Sequence, residues 1–227
     1  MRRPAKSSFV PATGVHWLLP LYDPLVAFCT REGKSKQWLL NQIEFESEQQ
    51  ILDFGCGSGT LLSAMADCAK SLGYDGLRFV GVDADERILR QAESKLGHVN
   101  DGSSTSVELL CHHGPRLPYA SDQFDACVCS LVFHHLTAEE KKGTLGEFRR
   151  ILRPGSSLYL MDYGRPSHVL AATCFIVVRS LDGWRQTADN ATGQLPSLLE
   201  KAGFQDVQEL FHMQTILGTL YAWRAIA

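Results

Sequence analysis

The sequence predicts an α/β fold: a mixed sheet of about seven strands, mostly parallel, with helices on both faces and an antiparallel hairpin at the C-terminus. Three observations carry this. Short apolar strands alternate with amphipathic helical patterns between Gln50 and Asp162. The first strand runs into the glycine cluster Gly55, Gly57 and Gly59. Two β-rich segments close the chain with no helix between them. A chain of 227 residues with 44% hydrophobic content suits one domain of the larger α/β kind. Residues 1–45 read as a helical extension and 46–227 as the main domain.

In chain order, residues 1–14 are basic and interrupted by Pro4, Pro11 and Gly14, which predicts loose order. From Trp17 to Ile43 apolar residues recur at helical spacing, broken at Pro20, Pro24 and Gly33, which predicts two short helices. Gln50 to Phe54 is the first strand. Leu61 to Leu72 is a helix with Leu62, Met65, Ala66, Ala69 and Leu72 inward. Arg78 to Val82 is the next strand, and Glu86 to Leu96 the next helix, with Ile88, Leu89, Ala92 and Leu96 inward. Val107 to Cys111 and Phe124 to Leu131 are two more strands. Thr137 and Glu140 form a capping-box pair that opens a helix running to Leu152. Arg149, Arg150 and Arg153 complement its negative end, and Pro154-Gly155 stops it. Ser157 to Asp162 is the fifth strand. A last helix, Leu195 to Ala202, ends at Gly203, and Asp206 to His212 and Thr215 to Trp223 form the hairpin.

The formal charge of −3 gives no global attraction to nucleic acid or an anionic membrane. Seven cysteines, odd in number and scattered through predicted strands and helices, do not make a disulfide framework. The longest apolar run, Val169 to Val178, is too short for a bilayer, which needs about 20 residues. No long apolar stretch follows the N-terminal basic residues, so no signal peptide is expected, and the expected location is a reducing cytoplasm.

The central motif is Ile51-Leu52-Asp53-Phe54-Gly55-Cys56-Gly57-Ser58-Gly59-Thr60. Glycines permit a tight turn and close approach of a ligand. The helix start beyond the turn presents unpaired N–H groups. A dinucleotide site carries G-x-G-x-x-G, whereas here the pattern is G-x-G-x-G, with Thr60 at the place of the third dinucleotide glycine. No phosphate-loop sequence is present either, so the turn suits a nucleoside ligand with an amino-acid tail. Asp83 closes the second strand, where a carboxylate can accept from both ribose hydroxyls or else cap the following helix.

Ile51 to Leu61, the strand ending at Asp83, Leu117-Pro118-Tyr119 before Phe124-Asp125, and Leu152-Arg153-Pro154-Gly155 resemble the successive motifs of class I S-adenosylmethionine-dependent methyltransferases. The resemblance runs from about Tyr22 to the C-terminus and is greatest to the branch containing the ubiquinone/menaquinone C-methyltransferases. It implies a Rossmann-like sheet and S-adenosylmethionine as cofactor. It also implies that Gly55, Cys56, Gly57 and Gly59 lie against the cofactor, that Asp53 orients the turn and reaches the amino group through water, and that Asp83, followed by Ala84, holds the ribose. Ser130 and Leu131 would offer backbone to the methionine amino group, and Tyr22 would close over the cofactor or pack in the core. The family commonly places an acidic residue a few positions before the Leu-Pro-Tyr motif to accept from adenine. Cys111-His112-His113-Gly114-Pro115-Arg116 has no carboxylate there, so His113 or a backbone carbonyl takes that part.

Ligands of open α/β sheets sit beyond the carboxyl ends of the strands. His134 and His135 follow the fourth strand there, and either can deprotonate an acceptor near neutral pH or brace the loop. Asp162 and Tyr163 end the fifth strand on the same rim, where Asp162 contacts the acceptor or caps the turn at Gly164. Adjacent histidines on a strand point to opposite faces, so no metal site is expected. Residues 165–190, which include the apolar run, form an insertion that serves as a greasy lid over an aromatic or lipid-like acceptor, or packs as a helix on the sheet. The expected activity is methyl transfer to oxygen or carbon of a small molecule. A non-catalytic protein keeping the cofactor fold, and an enzyme acting on protein or nucleic acid, are the alternatives.

Overall fold

The computed structural model describes residues 32–99, 104–114 and 116–227. Tyr22 and the first part of the predicted N-terminal extension lie outside the described residues. Seven strands form one sheet in the order β3-β2-β1-β4-β5-β7-β6. They are β1 Gln50–Phe54, β2 Arg78–Asp83, β3 Ser106–Cys111, β4 Phe124–Ser130, β5 Leu152–Tyr163, β6 Gln205–Thr215 and β7 Gly218–Ile226. The first five are mutually parallel. β7 runs antiparallel to both β5 and β6. The mixed Rossmann-like sheet expected from the sequence is therefore the fold.

The helices are α1 Glu32–Leu40, α2 Thr60–Ser71, α3 Glu86–Leu96, α4 Ala138–Ile151, α5 Val169–Asp182, α6 Ala188–Thr192 and α7 Leu195–Lys201, with a 3₁₀ turn at Phe133–His135. Successive residues of β1 feed opposite cores, Ile51 on the side of α1 and α2 and Leu52 on the side of α4 and α7. A central parallel strand buried on both faces needs continuous rather than alternating apolar character, and Ile51-Leu52 supplies it. The capping box opens α4 as read: Thr137 accepts from Glu140 N–H while the Glu140 carboxylate accepts from Thr137 N–H.

Three local expectations change. Leu72 is exposed, because α2 ends at Ser71 and Leu72 lies just beyond it, while Leu61 at the start of the helix is buried. β5 begins at Leu152, with no loop after α4. Pro154-Gly155 sits inside it at an irregularity, where pairing jumps from Phe124 opposite Leu152 to Ala126 opposite Ser157. Proline is tolerated at such bulges because no ladder bond is lost.

The order of strands places the crevice. From β1 the chain moves outward through β2 and β3, then returns to the other side of β1 for β4. The carboxyl ends of β1 and β4 flank that reversal, which is where open α/β sheets bind ligands. Asp53 and Ser130 stand at these two ends.

Candidate functional site

The glycine turn is stitched to β2: Gly55 N–H and Cys56 N–H both donate to the Val82 carbonyl, at 2.7 and 3.1 Å. All three glycines have positive φ, between 54 and 75°. A Cβ on Gly55 would collide with the Val132 side chain, and one on Gly59 would press on Leu96 and Ala92 of α3 at 3.0 and 3.1 Å. These two glycines are thus demanded by close packing of protein on protein. Gly57 alone has an open side, with only Ile88 as near as 4.0 Å. The Cys56 side chain is buried against Gly81, and its backbone braces the turn, with the N–H on Val82 and the carbonyl accepting from Gly59 N–H at 3.0 Å.

Asp83 faces this turn. Its Oδ2 accepts from Gly57 N–H and its Oδ1 from Asp85 N–H, both at 2.9 Å. The N-cap of α3 is Asp85, so Asp83 is free of that duty. An ionised carboxylate offers about four acceptor sites, and two protein bonds leave capacity on each oxygen. Ala84 follows, half-buried, with its carbonyl 3.8 Å from Cys111 Sγ.

Asp53 is almost wholly buried, and its pKa is pushed up to about 7, first by burial and also by the charge of Asp83, with Lys36 pulling the other way. Its Oδ2 has no hydrogen-bond partner within the protein, nor does Ser130 Oγ. Two buried acceptor-capable atoms at adjoining strand ends beside a glycine turn suit a ligand carrying a cationic amino group. Next to Ser130, Leu131 adopts φ of 61° while donating its N–H to the Met161 carbonyl at 2.8 Å. A left-handed non-glycine residue costs roughly 1 kcal/mol and concentrates at functional rims.

Beyond β3 the histidine read from the sequence is not the buried one. His113 is exposed, with Nε2 4.0 Å from Cys111 Sγ. His112 is half-buried and its Nε2 is buried without a protein partner, as is the hydroxyl of Tyr119. The strand ends at Cys111, so alternation no longer predicts which side each following histidine takes.

On the rim, His134 and His135 lie on the 3₁₀ turn, not on a strand. Their rings come within 3.9 Å, centroid to centroid, instead of pointing apart. The two histidines therefore do not face apart as expected: His134, His135 and Asp182 bring one ligand-capable atom each within 4.8 Å of one another. Asp182, at the end of α5, had no signal in the sequence. It lies 3.2 Å from His135 Nδ1 and 3.9 Å from His134 Nε2.

Asp162 is fully buried, and it does not cap the turn at Gly164, whose N–H donates to the Thr219 carbonyl at 2.9 Å. Its Oδ1 takes His134 Nδ1 at 2.9 Å and Tyr163 N–H at 2.7 Å, and its Oδ2 takes Phe133 N–H at 2.7 Å. Burial alone would raise the Asp162 carboxyl, but the His134 charge and hydrogen bond outweigh it and hold it below the usual range. His134 is the mirror case. Burial lowers it, yet Asp162 and then Asp182 raise it above 6.5 against an opposing effect from Lys141. Nδ1 is committed to Asp162, so Nε2 is the atom left for chemistry.

Over this rim lies α5. Ala171, Phe175 and Val178 are buried, while Val169, Ile176, Val177, Leu181 and Trp184 are exposed, so the insertion is a helix apolar on both sides. Among the described residues, no helix is long and apolar enough to cross a membrane.

Residues 51–155 match the methyltransferase domain family. A methyltransferase of unknown specificity from Anoxybacillus flavithermus is 27% identical over 55% of this chain and 51% of its own length, so the match spans about half of that relative. The ubiquinone/menaquinone biosynthesis C-methyltransferase of Syntrophotalea carbinolica is 25% identical over 84% of both chains. Among solved structures, phosphoethanolamine N-methyltransferase 2 of Haemonchus contortus, bound to S-adenosylhomocysteine, superposes with a TM-score of 0.64 at 16% identity, over 85% of this chain and 52% of that one.

Proposed function

We propose that this chain, a class I S-adenosylmethionine-dependent methyltransferase whose cofactor is S-adenosylmethionine, acts on oxygen or carbon of a small molecule with aromatic or lipid-like character. The observation that carries the reading is the unpartnered pair Asp53 Oδ2 and Ser130 Oγ beside a glycine turn that Asp83 holds in place. In this reading Asp83 grips the ribose hydroxyls with its remaining lone pairs. Asp53, Ser130 and the backbone at Leu131 hold the amino-acid tail, and the turn from Gly55 through Cys56 and Gly57 to Gly59, with Ala84, gives backbone contact. The buried Nε2 of His112 takes the adenine amino group in place of the missing carboxylate, with His113 as the outer neighbour.

The cofactor supplies a methyl group on a sulfonium, and the chain's own contribution is alignment, exclusion of water and one proton transfer. His134 Nε2 accepts the acceptor's proton while Asp162 on Nδ1 keeps the ring in the right tautomer and stabilises the imidazolium that results. His135 is the second proton-accepting group on the rim. In this reading residues 165–190 act as a lid with an apolar inner wall, and α5 shifts to admit an acceptor, which the burial of His134 beside Asp182 supports. A cytoplasmic location fits this role.

Tritiated methyl transfer from S-adenosylmethionine, screened against phenols, quinols and long-chain lipid alcohols, tests the proposal. Product from the apolar set supports it, and transfer confined to protein or RNA substrates contradicts it.

A further inference from the structure

Asn190 lies 28 residues beyond Asp162 and takes no part in the glycine turn, yet it is completely buried against the catalytic rim. Its Nδ2 donates to Asp162 Oδ1 at 3.1 Å and to the Tyr163 carbonyl at 2.8 Å. Its Oδ1 accepts from Lys141 Nζ at 2.8 Å. The amide orientation follows from the partners alone. An ammonium only donates, while a carboxylate and a carbonyl only accept, so one side-chain amide orientation satisfies all three. Lys141 is itself fully buried on α4, and it also donates to the Gln186 carbonyl at 2.6 Å and to Asp189 Oδ2 at 3.4 Å. Its three N–H groups therefore anchor the segment that follows the lid helix.

We propose that Asn190 is a positioning residue, which acts through Asp162 to fix the tautomer and orientation of His134 and is itself held in place by Lys141. The inference rests on the reading of His134 as the proton acceptor. A chain of hydrogen bonds then runs from α4 through the turn of α6 and the end of β5 to the imidazole. Buried networks of this kind rigidify a site when their members are satisfied, and here Lys141 uses all three donors while Asn190 uses both donors and its amide oxygen. The sequence could not reveal this, because Lys141, Asp162 and Asn190 carry no spacing that predicts their meeting. A hydrophobic residue at 190 would leave the Lys141 ammonium short of an acceptor. An aspartate would set a second carboxylate against Asp162.

The test needs no acceptor. ¹⁵N-histidine-labelled protein saturated with S-adenosylhomocysteine is titrated by long-range ¹H–¹⁵N NMR, with His134 assigned by its loss in His134→Gln. The charged groups facing His134 are Asp162 on β5, Asp182 on α5, Lys141 on α4 and the neighbouring His135. The wild type is expected to show the Nδ1-protonated tautomer whenever the ring is neutral. Asn190→Asp, by adding negative charge beside Asp162, should move the His134 midpoint upward by at least about 0.5 pH unit, a threefold change in the protonation constant. Asn190→Ala should mix the two tautomers. Should either protein fail to fold, Asn190→Ser, which keeps one donor in a smaller side chain, is expected to give an intermediate tautomer population. Wild-type tautomer and midpoint in every variant that binds S-adenosylhomocysteine normally would overturn the inference. A wild-type His134 with mixed tautomers would instead overturn the reading beneath it.

Discussion

Asp162 Oδ1 and His134 Nδ1 meet at 2.9 Å across the seam between the end of β5 and the turn that follows β4, both side chains shut away from solvent. The pair joins two neighbouring strand ends, and its charge state bears on the stability of the rim and, in the proposed function, on the proton that Nε2 takes.

Removing one partner of a buried ion pair leaves the other uncompensated, at a cost of about 3–5 kcal/mol. Asp162, held below its ordinary 3.8, contributes stability above that value and loses it as pH falls through its lower folded-state pKa. His134, raised above 6.5, contributes below 6.5 and loses it as pH rises through its higher folded-state pKa. Asp162→Asn should therefore destabilise most between about pH 4 and 6.5 and less at pH 8.5. Urea unfolding at pH 5.5 and 8.5 measures this, and an equal loss at both would show that the pair is not ionic.

Asp83→Ala should weaken S-adenosylhomocysteine binding by about 1–3 kcal/mol, the worth of hydrogen bonds to a charged group. The same substitution frees Gly57 N–H and so loosens the turn. Titration with adenosine separates the effects, since adenosine carries the ribose without the amino-acid tail. A loss seen with both ligands places Asp83 on the sugar, and a loss confined to S-adenosylhomocysteine does not.

Burial pushes Asp53 up to about 7. A ligand ammonium placed against its Oδ2 favours the ionised form and expels the proton. Cofactor binding at pH 6 should then release close to one proton and tighten as pH rises toward 7. Calorimetry in buffers of different ionisation enthalpy reads the proton count directly. Zero release would remove Asp53 from the amino-group site.

Gly59→Ala should cost about 1–3 kcal/mol, because the new Cβ meets Ala92 and Leu96 at a positive φ. Gly57→Ala has only Ile88 nearby, so it should unfold less readily than Gly59→Ala but bind cofactor less well. Thermal melts and titrations of the two variants side by side test the division of labour between the glycines.

Local signals carried much of the architecture. Strand and helix periods, the Thr137–Glu140 box and the glycine turn each declare themselves within a dozen residues, and from Gln50 onward the structure keeps these elements with some ends moved. What sequence could not supply is distance in space. Asp182 reaches the histidines only because α5 folds back over the rim, and Asn190 meets Asp162 only through the turn of α6. Strand alternation does not govern His134 and His135, because a 3₁₀ turn carries them and brings their rings together instead of separating them. Which of His112 and His113 turns inward is not legible either, because both follow the last paired residue of β3, where alternation has ended.

A crystal structure of the protein with S-adenosylhomocysteine is the most direct test of the account. It should show both ribose hydroxyls on Asp83, and the amino group within hydrogen-bond reach of Asp53 Oδ2 or Ser130 Oγ. A ligand lying away from the ends of β1 and β4, with Asp83 bound only to Gly57 and Asp85, would contradict it.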